Sequence, residues 1–81
     1  MPDLATLSAE VHARVALPPP HRRREIREAA GISQARLAEA VGVTDVSILY
    51  WERGGTPRRG NLEAYVEALR MLDSIVTGEA A

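Results

Sequence analysis

The stretch GISQARLAEAVGVTDVSILYWERG, residues 31–54, decides the reading of this chain. It holds two short apolar-periodic segments parted by Gly42. Ser33 is a natural N-cap for the first, over about 33–41, and Leu37, Ala38 and Val41 fall on its inner face. Gly42 ends that segment, because a residue without Cβ enters the left-handed backbone region at little steric cost. Val43 then points inward, and Thr44 caps a second segment of about 44–53 with Ile48 and Trp51 inward. Asp45, in its first turn, suits the positive end of the helix dipole.

Working outward, the spacing predicts helices on both sides. Residues about 20–30 form one before the stretch, with Ile26 and Ala30 inward and Arg22, Arg23 and Arg24 largely outward. Pro18, Pro19 and Pro20 stop the preceding segment and start this one, since proline is tolerated in a first helical turn. Gly31 supplies its left-handed cap. Leu4, Leu7, Val11 and Val15 recur at helical spacing and mark an N-terminal helix of about 3–16. After the stretch, GGTPRRG (54–60) reads as a loop, with Asn61 capping a last helix to about Val76. The last helix carries Leu62, Tyr65, Val66, Leu69, Leu72, Ile75 and Val76, an apolar face broader than one small core needs. That excess points either to packing against the N-terminal helix or to a dimer seam through Tyr65, Leu69, Leu72 and Val76.

Two short helices joined at a glycine, the second capped by Thr, have the layout of a helix-turn-helix unit. A small residue within the first helix and the glycine at the turn allow a close, steep crossing. The second helix then stands proud and fits a DNA major groove about 12 Å wide. Beyond this layout, Ser33-Gln34, Leu37-Ala38, Val41-Gly42-Val43, Ser47-Ile48 and the closing Trp51-Glu52-Arg53-Gly54 resemble the XRE, or Cro-like phage repressor, family. The resemblance covers about residues 22–72. A sigma-factor region, another helix-turn-helix lineage, is not expected to carry that closing string.

The resemblance implies an all-α, five-helix lambda repressor-like domain, here with an added N-terminal helix and a long C-terminal one. The whole chain, 1–81, is expected to be one domain: an N-terminal helix (1–17), a helix-turn-helix core (20–77) and a tail (78–81). It implies roles by position. Gln34 begins the scaffold helix, where the family contacts a phosphate and often braces a base-reading side chain. Thr44, Asp45, Val46, Ser47, Tyr50 and Arg53 belong to the recognition helix. Arg58, with Arg59 beside it, falls where the family touches the backbone again, and Arg23 is a further phosphate candidate. Arg27 and Glu52 match a buried family ion pair. The departure lies in the reading positions: the family uses Gln, Arg, Lys or Asn there, and this chain offers Asp45, Val46 and Tyr50. Asp accepts from cytosine N4, Val touches a thymine methyl, and Tyr donates or packs.

Composition bounds the alternatives. The 81 residues include no Cys, so disulfides and thiolate metal sites are excluded, and His12 and His21 lack metal-ligand spacing. No run approaches the roughly 20 apolar residues of a membrane helix, and no signal peptide is visible. No nucleophile–base–acid set or paired-carboxylate cleft is readable, so neither an enzyme nor a cofactor is expected. Net charge is −1, yet residues 21–59 carry eight Arg against five acids, between acidic ends. The expectation is a cytoplasmic regulator of bacterial or phage origin, nucleoid-associated when bound. It would be a repressor that binds double-stranded DNA as a homodimer. The competing expectation is a protein-interaction module, an antitoxin or adaptor on the same scaffold, suggested by the acidic, apolar last helix and by Asp45-Val46.

Overall fold

The structure is a computed structural model that describes residues 3–78; of the expected tail, 79–81 lie outside the described residues. Five helices follow in order: α1 (Leu4–Ala16), α2 (Pro20–Ala29), α3 (Gln34–Val41), α4 (Asp45–Glu52) and α5 (Arg59–Thr77). No strand occurs among the described residues.

The helix ends follow local chemistry. Pro20 takes the first turn of α2, where its missing N–H leaves no bond unmade. Ser33 caps α3 by accepting from the Arg36 N–H at 3.0 Å. At the other end Gly42 adopts φ 89°, and the N–H groups of Gly42 and Val43 both donate to the Ala38 carbonyl, at 2.8 and 2.9 Å. Thr44 caps α4 by accepting from the Ser47 N–H at 3.3 Å.

α5 departs from expectation at its start. Arg58, not Asn61, is the N-cap, and Arg59 and Gly60 are helical rather than loop. The Arg58 carbonyl accepts from the Asn61 and Leu62 N–H groups, both at 2.9 Å. Leu62 is fully buried, and a complete turn ahead of it fixes its direction into the core.

Ile26, Leu37, Ala38, Ile48, Trp51, Tyr65 and Leu69 make the core, ringed by Leu17, Ile32, Val41, Val43, Ala68 and Leu72. Trp51 and Tyr65 meet with ring centroids 4.7 Å apart and planes tilted by 48°. This corrects the dimer seam: Tyr65 and Leu69 are buried against the chain's own helices and have no surface left for a second copy. Of the four seam candidates, Val76 is exposed and Leu72 is half-buried against the core.

α1 lies beside the first part of α5 and runs in the same direction. Glu10 reaches Arg59 at 2.7 Å, and Ala16 shares a notch with Val66 and Asp73. Its one buried residue is Ala13. Leu4, Leu7, Val11 and Val15, which mark the helix in the sequence, all face outward.

A candidate nucleic-acid interface on α4

α4 is held from one side only. Ile48 and Trp51 plant it in the core, and the three- and four-residue repeat of a helix then turns Val46 and Tyr50 the other way. Val46 is 67% exposed and Tyr50 61%. Asp45 and Thr44 are exposed beside them, and Ser47 is half-buried with its hydroxyl 3.1 Å from that of Thr44. The outward face is thus short, sets Val46 and Tyr50 among polar Thr44 and Ser47, and carries the single negative charge of Asp45.

Position and tilt of α4 come from a polar clamp at its C-terminal end. Arg27 donates to both oxygens of Glu52, from Nε at 2.5 Å and Nη2 at 3.0 Å, and also to the Ile32 carbonyl at 2.9 Å. Gln34 Nε2 donates to Glu52 Oε1 at 3.1 Å. One carboxylate therefore ties α2, the start of α3 and the end of α4 together. Burial pushes the Glu52 carboxyl up, but hydrogen bonds from Arg27 and Gln34 and the charges of Arg27 and Arg24 outweigh it and hold it below its ordinary value. On the other side, the hydrogen bond to Glu52 raises the Arg27 guanidinium further.

The expectation for Arg23 is corrected. It is 8% exposed, not an outward phosphate candidate. Its Nε donates to the Pro18 carbonyl at 2.7 Å, and its Nη1 to the carbonyls of Trp51 and Gly55 at 2.8 and 3.3 Å. The guanidinium satisfies carbonyls left over where the proline segment, the end of α4 and the next loop converge. Burial pulls its pKa down. The sequence held a signal: positions 23, 26, 27 and 30 follow helical spacing, so Arg23 shares the inner face with Ile26 and Arg27.

The remaining cations divide by partner. Arg22 bonds Asp73 at 2.9 Å, Arg24 bonds Glu28 at 3.1 Å and Arg36 bonds Glu39 at 3.0 Å. Arg59 is exposed but paired with Glu10. Arg53 and Arg58 are exposed at the end of α4 and the start of α5, and neither forms an ion pair among the described residues.

Two features escape a sequence reading. Leu49, Ala35, Ser33 and Arg24 join Asp45 and Gln34 around a shallow cleft between α3 and α4. Gly55 lies under the Tyr50 ring so closely that a Cβ there would come within 2.2 Å of it. A G-G pair marks a turn but does not reveal which side chain lies across it.

No group of three His, Cys, Asp or Glu fit to hold a metal occurs among the described residues, and none of their helices is long and apolar enough to cross a membrane. Comparison with curated proteins and with solved structures gives no match. A scan of family models gives one described as Helix-turn-helix, matching residues 24–73, more than half the chain. That span opens inside α2, holds the capped α3–turn–α4 pair and its polar clamp, and closes in α5; the chain belongs to the helix-turn-helix family of the XRE, lambda repressor-like kind, a family of DNA-binding regulators.

Proposed function

We propose that this chain is a small transcriptional repressor, of the phage or mobile-element kind, that lays α4 in the major groove of double-stranded DNA. The observation that carries this reading is the exposure of Val46 and Tyr50 on a helix locked from behind by Ile48, Trp51 and the Glu52 clamp. In this reading Asp45, Val46, Ser47 and Tyr50 meet base edges, with Thr44 at the groove wall. Gln34, Arg53 and Arg58 meet phosphates. Arg59 joins them by exchanging Glu10 for a phosphate oxygen. Two copies act on an inverted repeat, with recognition helices about one helical turn, ~34 Å, apart.

Most cations are matched by acids within the chain, so phosphate contacts are few. Three per chain, from Arg53, Arg58 and Arg59, imply a log–log salt slope of about −2.7 per chain. A fluorescence-polarisation titration of duplex DNA at two salt concentrations tests this. The expected result is binding that weakens with salt at about that slope. Failure to bind any duplex at low salt, or salt-independent binding, counts against it.

A second reading has its own observation: the outward face of α4 offers Asp45, Val46 and Tyr50 and no long amide or basic side chain. Such a face suits a protein partner, as in an antitoxin or adaptor. A stoichiometric partner whose affinity falls with Tyr50→Ala, while duplex DNA neither binds nor competes, favours this second reading.

A further inference from the structure

Leu4, Leu7, Val11 and Val15 are 71%, 55%, 52% and 80% exposed, so the apolar strip of α1 points away from α5. Helical spacing puts Ala13 and Glu10 on one side and this strip roughly opposite. The strip runs for about 16 Å at 1.5 Å per residue. It presents on the order of 400 Å² of apolar surface, within the range of the largest contiguous patch on a typical monomer, which is often functional.

We infer that this strip is a self-association surface, on which α1 of a second copy packs antiparallel. The charges decide both occupant and direction. Asp3, Leu7, Glu10 and Arg14 follow one another along the same flank of the strip, and shallow grooves there are lined by Asp3, Leu7 and Glu10, then by Leu7, Glu10, Val11 and Arg14. Glu10 is already matched by Arg59 of its own chain. Asp3 and Arg14 form no ion pair among the described residues. An antiparallel pair brings like flanks together. Centring the strips sets Leu7 against the second copy's Val11, Leu4 against its Val15, and Asp3 within a turn of its Arg14, twice over by symmetry. A parallel pair would instead set this flank against the second copy's other flank, Ala5, Ser8 and His12, and leave both Asp3 and Arg14 without an opposite charge. The other flank offers Ala5, Ser8 and His12, small or polar residues that allow close approach.

The area is about half the roughly 800 Å² per partner of a standard stable interface. Self-association in free solution is therefore weak, with a dissociation constant on the order of 100 μM. Adjacent sites on one DNA molecule raise the effective concentration to the millimolar range, so the same contact gives roughly tenfold cooperativity there. This last step, and only this one, rests on the proposed DNA binding.

Sedimentation equilibrium of the whole chain, up to about 1 mM, tests the surface without DNA. Asp3→Arg alone and Arg14→Asp alone each create two like-charge contacts and weaken the dimer about fivefold or more. An equimolar mixture of the two variants restores both contacts in the mixed pair and regains wild-type association. Val11→Asp, at the centre of the strip, abolishes association, while far-UV circular dichroism shows each variant helical. A wild-type monomer at 1 mM overturns the inference. So does a dimer indifferent to Val11→Asp, or a mixture no better associated than its components. Duplex titration of the same variants separates the two readings: single-site affinity unchanged with association lost leaves DNA binding standing, and association intact without DNA binding leaves only the surface.

Discussion

Glu52 receives hydrogen bonds from Arg27 and Gln34 at the end of the helix that faces outward, and the Arg27–Glu52 pair is almost wholly buried. Glu52→Gln leaves the Arg27 guanidinium buried opposite a neutral amide and should lower stability by about 3 kcal/mol, read by urea unfolding. The carboxyl sits below its ordinary value of 4.5 in the folded chain, so the unfolded chain binds its proton more readily. Its contribution is complete above that ordinary value and drains away as pH falls through the lower, folded one. Melting temperature should drop on acidification in this window, and more shallowly in Glu52→Gln. Tyr65 behaves oppositely. Burial first, then the nearby Glu52 charge, pushes its phenol up to about 12. Its buried hydroxyl has no hydrogen-bond partner among the described residues. Tyr65→Phe keeps the ring against Trp51 and removes an unmatched polar atom, so it should raise stability by up to about 1 kcal/mol. A loss of more than that amount would mean the hydroxyl is satisfied after all.

At the scale of elements, α3 and α4 were legible from their caps. Ser33, Gly42 and Thr44 act within a few residues of themselves, so local sequence determines them. The start of α5 was not, because burial of Leu62 decides it, and Asn61 carries a capping preference that tertiary packing overrides. Arg23 goes inward for a related reason: residue type argues for solvent while helical position argues for the core, and carbonyls from three other segments decide between them. The helical identity of α1 was plain, but which of its faces meets α5 depends on the partner helix. Arg23→Ala leaves the Trp51 and Pro18 carbonyls without their donor and should destabilise the fold by about 2–3 kcal/mol. In thermal unfolding that loss is visible directly. Under conditions where the variant is fully folded, DNA affinity should stay within about twofold of wild type. A tenfold fall without loss of stability would restore Arg23 to the phosphate contacts.

Across the whole molecule, the charge map changes the electrostatic reading more than any helix boundary does. The basic middle of the sequence suggests a cationic face, yet six of its Arg residues are spent on acids or carbonyls of the same chain. Pairing of this kind is invisible to a count of residues, because Glu10 and Arg59, or Arg22 and Asp73, meet only once the helices are packed. On the proposed reading DNA meets a short α4 face, with Arg53, Arg58 and, once it gives up Glu10, Arg59 beyond its end. The placement of that face was legible in the alternation of Ile48 and Trp51 with Val46 and Tyr50; its setting by Gly55 and by the cleft beside Leu49 was not. The most direct test is an amide chemical-shift titration of the full chain with a duplex recovered by selection from random sequences. The signals of Asp45, Val46, Ser47, Tyr50, Arg53 and Gln34 should move first and furthest if α4 enters the groove. Shifts centred on α1 or the end of α5, with α4 unmoved at saturation, would contradict it.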